Sequence, residues 1–291
     1  MTNILVLGGT GTTGRRIAHR LRATGHPVRT AARAGADLAV DLTAPAGWPA
    51  AVADVSAAYL MEPAVPADAA GRERLARFAA DVVAAGARRL VLLSAPGGGE
   101  PGHPLYAAER AVRDAGVEWT ILRPNWFAQN FSEGIWRRGI LDGTLTLPAG
   151  AGRAPFLDAD DIADVAVAAL TGTGHHGRAY ELSGPRAIGF GEATEIIGAA
   201  LGRPVRYDDI EPDAFVERQT AAGVPAAVAR MMTGLLAGLR DSGPGSAVTD
   251  GVERALGRPA RSFEDFAAAA AAAGAWRPEA VQSSPGIGNP A

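Results

Sequence analysis

The chain has 291 residues, 47% of them hydrophobic and 20% charged, with a net charge of −3 and no cysteine. That balance is globular and long enough for one large α/β domain or two units sharing a core, and it excludes disulfides, thiolate metal sites and cysteine nucleophiles. With no basic surface, no bilayer-length apolar run and no basic-apolar leader ahead of the first strand, it points away from nucleic acid and membrane and towards the cytoplasm.

Residues 4–7 (ILVL) form a short continuous apolar run, the pattern of a strand buried on both faces of a parallel sheet. Gly8, Gly9, Thr10, Gly11, Thr12, Thr13 and Gly14 follow, and then Ile17, Ala18 and Leu21 at helical spacing. A tight strand-to-helix turn needs residues without Cβ, and the free N–H groups and positive end of the new helix bind a phosphate. The glycines read equally as G-x-G-x-x-G (Gly9, Gly11, Gly14) or as G-x-x-G-x-x-G (Gly8, Gly11, Gly14). Strand before and helix after make this a dinucleotide site.

The second strand, residues 28–32, decides between cofactors. A site for NAD usually ends this strand with a carboxylate for the ribose 2′-hydroxyl. Here it ends at Arg33, which can pair with a 2′-phosphate, with Arg15 as a possible helper; the plainer alternative for Arg33 is a solvated loop charge. NADP(H) is therefore expected over NAD(H). Residues 40–42 read as the end of a third strand, where Asp41, followed by Leu42, is placed to meet an adenine amino group.

Residues 57–61 (AAYLM) are a fourth strand, closed by Glu62 and Pro63. A helix is expected over 67–85, a fifth strand over 89–94 ending at Ser94, a helix over 105–115 capped by Gly116, and a sixth strand over 118–122. Ligands of such sheets bind beyond the carboxyl ends of the strands. The glycine turn, Arg33, Met61, Glu62, Pro63, Ser94 and the loop 123–127 are thus expected to converge.

Later elements are looser. Trp126, Phe127 and Phe131 recur at helical spacing, either as a core stripe or as the wall of a substrate pocket. Asp158, Asp160 and Asp161 precede an apolar helix, where capping and dipole complementarity explain them better than a metal does, so no metal site is expected. His175 and His176 stand among glycines, exposed and inert. A strand over 179–182, helices over 192–201 and 224–240, a short strand over 205–207 and a closing helix rich in alanine complete the reading. The expected organisation is a dinucleotide-binding domain over 1–150, its sheet completed by elements near 155–185. A smaller, mostly helical portion covers 151–276, and a flexible tail covers 277–291.

Taken together, "NILVLGGTGTTGRRIAHRL", "RLVLLSA", "AERAVRDAGVEWTILRPNWFAQNF", "FLDADDIADVAVAAL", "YELSGP" and "RSFEDFA" resemble the NmrA-like group of atypical short-chain dehydrogenases/reductases. Within it the chain is similar to bacterial NADPH:quinone-reductase-type members and to the ergot-alkaloid (agroclavine) reductase-like branch. The resemblance implies a Rossmann, doubly wound parallel sheet with a small C-terminal substrate-binding portion. It also implies NADP(H) across the glycine turn and Arg33, with the nicotinamide near Met61, Glu62, Pro63, Ser94 and residues 124–127, and an enzyme of secondary metabolism, monomeric or homodimeric.

Typical short-chain dehydrogenases use Tyr-x-x-x-Lys, the lysine tuning the phenol that protonates the substrate oxygen. Counted back from Glu109 and Gly116, the lysine position falls on Leu105 and the tyrosine position on Pro101, so the pair is absent. Tyr106 and Arg110 offer a displaced substitute on one helix face, with Tyr106 the candidate proton donor. Without the pair, simple ketone reduction is disfavoured, and a quinone, enone or iminium acceptor is expected instead. A non-catalytic NADP(H)-sensing regulator and a non-redox biosynthetic catalyst are the competing readings.

Overall fold

The structure, a computed structural model, describes residues 3–62, 69–240 and 245–277. Its first half alternates strand and helix: β1 (Ile4–Leu7), α1 (Thr12–Ala23), β2 (Val28–Ala32), β3 (Leu38–Ala39), α2 (Trp48–Val52), β4 (Ala57–Met61), α3 (Ala69–Ala84), β5 (Arg89–Leu93), α4 (Tyr106–Arg113) and β6 (Glu118–Pro124). Then come α5 (Arg137–Asp142), β7 (Thr144–Leu147), β8 (Arg153–Ala154), α6 (Ala159–Thr171), β9 (Arg178–Leu182), β10 (Ile188–Gly189), α7 (Phe190–Leu201), β11 (Arg206–Asp209), α8 (Pro212–Ala221), α9 (Ala226–Arg240), α10 (Gly251–Leu256) and α11 (Phe263–Ala272).

Seven strands form one parallel sheet in the order β3-β2-β1-β4-β5-β6-β9. The order reverses between β1 and β4, so the crevice at their carboxyl ends is the switch point where this architecture takes a ligand. Alternation along β1 sends Leu5 and Leu7 to one face and Ile4 and Val6 to the other. On the first face Trp48 of α2 meets Phe78 of α3 edge-on, with ring centroids 5.2 Å apart, a pair worth about 1 kcal/mol beyond its burial. On the second, α1 and α6 cover the strands through Ile17, Leu21, Ile162 and Val165.

A separate core is aromatic. Phe131, Trp136, Phe156, Phe190 and Phe263 interlock at centroid distances of 4.7 to 6.2 Å, joined by Phe215, Phe266 and Trp276. It draws on residues 128–149 as well as on those after 150. Its two small sheets, β7 with β11 and β8 with β10, pair strands distant in sequence.

Several expected boundaries shift. The third strand is Leu38–Ala39 rather than 40–42, because Asp41 accepts hydrogen bonds from Thr43 N–H and Oγ1–H and turns the chain. The helix expected to run to 115 ends at Arg113 with Asp114 as its cap, and Gly116, at φ +71°, serves the turn into β6 instead. Of the helix expected over 67–85, only the part from residue 69 lies within the described residues, and those of the expected tail beyond 277 lie outside them.

Candidate functional site

The glycine turn is built by steric exclusion. Gly8 has φ +71°, and a Cβ on it would lie 2.6 Å from Met61 Sδ. A Cβ on Gly9 would lie 2.4 Å from Thr30 Cβ, and one on Gly14 would lie 2.2 Å from the Gly8 carbonyl oxygen. Both glycine spacings are therefore in use: Gly8 for its angle, Gly9 for contact with β2, Gly14 for seating α1 on the turn. Gly11 caps α1 without a side-chain hydrogen bond, and the first turn of α1 holds no acidic residue. The N–H groups and positive end of a twelve-residue helix thus face outward uncompensated, which fits a dinucleotide's pyrophosphate. Thr10 is exposed and Thr12 half-exposed beside them. The Thr13 hydroxyl faces inward and accepts from the buried Tyr59 hydroxyl at 2.9 Å, leaving only its backbone for a phosphate.

Gly8 and Gly9 N–H both donate to the Ala31 carbonyl, which brings the end of β2 beside the turn. Arg33 stands there exposed, with no hydrogen bond or ion pair among the described residues. Its guanidinium, which acts on the Asp41 carboxylate only through its charge, fits a 2′-phosphate. Arg15, the suggested helper, is instead paired with Glu133 from the loop after β6, and Arg16 joins the same carboxylate at 2.6 Å. Asp41 is exposed at the same edge, its carboxyl held below the usual range by the Thr43 hydrogen bonds. Leu42 is a correction: its side chain is 5% exposed and packs in the core with Trp48.

At the carboxyl end of β4, Met61 lies over Gly8, while Glu62 is ion-paired with Arg74. Pro63 lies outside the described residues. At the end of β5 the Ser94 hydroxyl donates to Glu109 Oε1 at 2.6 Å, so it is committed to the protein. Glu109, 1% exposed, also accepts from Arg123 Nε at 2.8 Å and Nη2 at 2.6 Å. Burial alone would push the Glu109 carboxyl up, but the donors Arg123 and Ser94 outweigh it and hold it below its ordinary value. The same pair, completed by Glu181, raises Arg123. This knot pins the loop 95–105, because a Cβ on Gly98 would strike Ser94 Oγ at 2.2 Å and one on Gly99 would strike Arg123 Nη2 at 2.4 Å.

Beyond the knot opens a cavity of about 420 Å³, walled by Pro96, His103, Pro124, Trp126, Phe127 and Leu235 with Asn125 and Asn130. Trp126 and Phe127 thus line it, Trp126 backed by a stacked Trp136 at 5.6 Å. Phe131 does not: it is fully buried at the centre of the aromatic core, the outcome the core-stripe reading described. Tyr106 is a second correction. It faces a groove with Glu73, Ala76, Arg110 and Asp114, between α3 and α4, and none of the cavity's walls is shared with that groove. A cavity of about 460 Å³ between α7 and α11 is lined by alanines, Leu201 and Trp276 and lies away from the strand ends.

The aspartates before α6 serve structure. Asp158 caps the helix by accepting from Asp160 N–H at 2.9 Å, and buried Asp161 accepts from Arg261 N–H at 2.7 Å. His175 and His176 hold local structure: His175 Nδ1 lies 3.0 Å from the Tyr180 hydroxyl, and His176 Nδ1 accepts from Trp119 N–H at 3.1 Å at the start of β6. The features that sequence reading missed are His103, the Glu109–Arg123 knot and Leu235. His103 sits in "PGGGEPGHP", which has no periodicity, yet it follows β5 at the ligand-bearing end of the sheet.

A family model described as NAD(P)H-binding matches residues 8–173. The chain is 39% identical over 276 residues to "Uncharacterized oxidoreductase YesF" of Bacillus subtilis, covering 92% of this chain and 95% of that one. It is 35% identical over 288 residues to the "NAD(P)H azoreductase" of Xenophilus azovorans, covering 93% and 98%. Citrobacter sp. triphenylmethane reductase, solved with NADP(H), shares the fold at a TM-score of 0.70 and 20% identity, over 93% of this chain and all of that one. The phosphate cradle, the strand order and these matches agree: the chain belongs to the NAD(P)H-binding family and is an NAD(P)-dependent oxidoreductase of Rossmann fold.

Proposed function

We propose that the protein delivers hydride from NADPH to a flat conjugated acceptor, a quinone, an enone or an iminium ion. The observation that carries the reading is the aromatic cavity of about 420 Å³ at the carboxyl ends of β5 and β6, on the same sheet edge as the glycine cradle and the unpaired Arg33. Trp126 and Phe127 line the cavity with aromatic surface suited to a planar guest, and half-exposed Leu235 extends the apolar surface. The names of an azoreductase relative and of a triphenylmethane reductase neighbour are consistent with extended aromatic acceptors.

The N–H groups at Thr12, Thr13 and Gly14 would hold the pyrophosphate, and Arg33 would hold the 2′-phosphate. Bound there, the reduced dinucleotide supplies two electrons and a hydrogen as hydride. The protein's part is to stack the acceptor, fix its distance and exclude water. No Tyr-x-x-x-Lys pair is needed for acceptors whose charge is delocalised or cancelled.

The experiment is NADPH oxidation against a panel of quinones, enones and cyclic iminium ions, with NADH in parallel. Turnover with NADPH well above NADH is the expected result. Protein that binds NADP(H) yet turns over none of the panel would overturn the reading.

A further inference from the structure

We propose that the Nε2–H of neutral His103 is the hydrogen-bond donor that stabilises the charge appearing on the acceptor's oxygen as hydride arrives. The inference rests on the reductase reading and adds to it a polar role for one side chain of a largely apolar cavity. His103 is the one ionisable side chain among the described residues that line the cavity. Two amides, Asn125 and Asn130, also line it; Asn125 is oriented by Trp126 N–H on its Oδ1 at 2.8 Å and keeps its Nδ2–H groups.

The ring's state is set by its own loop. Leu105 N–H donates to His103 Nδ1 at 3.1 Å, so in the neutral imidazole the hydrogen is carried by Nε2. The backbone around it is closed by His103 N–H to the Glu100 carbonyl at 3.1 Å and Tyr106 N–H to the His103 carbonyl at 3.0 Å. The loop is pinned in turn by the packing of Gly98 and Gly99 on Ser94, Glu109 and Arg123. Burial lowers the ring's pKa below 6.5; Glu109 of α4 and Glu100 of its own loop act upward, and Arg123 of β6 acts downward. The ring is therefore neutral at and above neutral pH. Protonation would put a second N–H on Nδ1, facing Leu105 N–H, so the geometry favours a neutral donor over an imidazolium acid.

In the step, the acceptor carbon gains a C–H bond and two electrons, and its π pair moves onto the conjugated oxygen. His103 Nε2–H shares that charge without releasing its hydrogen, and one proton from water completes the reduced product while the dinucleotide leaves oxidised. An iminium acceptor develops no such anion, since its positive charge is cancelled. His103 is predicted to matter for quinones and enones and to be silent for iminium ions.

The test compares wild type, His103→Ala, His103→Gln, Asn125→Ala and Asn130→Ala. His103→Ala is expected to lower kcat about 10- to 100-fold on a quinone or enone, with KM changed less than about threefold and iminium turnover within about twofold of wild type. His103→Gln, which restores an N–H donor, recovers part of the loss. An equal loss on every acceptor, no loss, or a selective loss in Asn125→Ala or Asn130→Ala alone overturns the proposal.

A second readout needs no turnover: the absorbance titration of 4-nitrophenol with the NADP⁺-loaded protein. The wild type is expected to lower the phenol's pKa and His103→Ala to abolish that shift. An unshifted wild type, or the same shift in the variant, overturns the proposal. Wild type inactive on the whole panel instead sinks the reductase reading, a result distinct from either.

Discussion

Glu109→Gln tests the buried knot behind the cavity. The Glu109 side chain is 1% exposed, and its partner Arg123 has a side chain 15% exposed, with Glu181 as the remaining anion. Removing one member of a fully buried pair costs about 3–5 kcal/mol, because the other charge is left without compensation. Here Glu181 and a small solvent path keep part of the compensation, and Gln still accepts from Ser94. The expected loss is thus about 2–3 kcal/mol, or roughly 3–5 °C in Tm for a chain of this size. Urea unfolding at pH 7 measures it.

The same measurement in acid supplies a second check with a defined sign. The Glu109 carboxyl is held below its unfolded value, so its stabilisation is fully present at neutral pH and lost as pH falls through the folded pKa. The gap between wild type and variant therefore narrows below about pH 4. The double change Glu109→Met with Arg123→Met, which leaves no stranded charge, is expected to be more stable than Glu109→Gln. A Glu109→Gln variant within about 0.5 kcal/mol of wild type, a gap that persists in acid, or a double variant no better than the single would each refute this account of the knot.

Arg33→Ala is expected to weaken NADPH binding by about 10- to 100-fold, the loss of a charge-assisted contact, while NADH binding moves by less than about threefold; titration of nucleotide fluorescence reads both, and equal losses would remove Arg33 from the 2′-phosphate. Gly14→Ala places a methyl 2.2 Å from the Gly8 carbonyl oxygen, so calorimetry is expected to show at least a tenfold weaker Kd for both dinucleotides together with a loss of about 1–3 kcal/mol in stability, and unchanged binding would mean that the turn is not the phosphate cradle.

The strands buried on both faces were legible because continuous apolar runs have few alternative uses: residues 4–7 and 57–61 form strands with the bounds read from sequence, as does the more polar, partly exposed run 28–32. The glycine turn was legible for a similar reason, since few needs other than close approach explain so many glycines between strand and helix. What stayed hidden depends on pairing at a distance. β7, β8 and β10 are two to four residues long, and none shows a period that local reading can find, whereas the strand expected over 205–207 is present as β11, shifted to Arg206–Asp209. Phe131 and Trp126 share an aromatic stretch, and only the packing of α7 and α11 sends one to the core and the other to the cavity. Tyr106 had the right spacing to Arg110 but the wrong helix face. His103 lies among glycines and prolines, where the burial of a ring is decided by a buried ion pair 14 residues apart in sequence, Glu109 with Arg123.

The position of β9 beside β6 has a consequence for how such a chain can diversify. The chain leaves the sheet after β6, makes the excursion that carries Trp126 and Phe127, and re-enters one strand over, about 5 Å away in the hydrogen-bonding direction. A second excursion, carrying Leu235, leaves from the end of β9. Both detours are anchored at neighbouring points on a rigid sheet, like two handles fixed to one plate. Their outer parts can be exchanged without moving the glycine turn or Arg33 as long as α6, which packs beside α1, and Glu133, which pairs with Arg15 and Arg16, are kept. Grafting the residues around Trp126 and Phe127, between β6 and Glu133, from one relative into another is a direct route to a new acceptor range on an unchanged dinucleotide site.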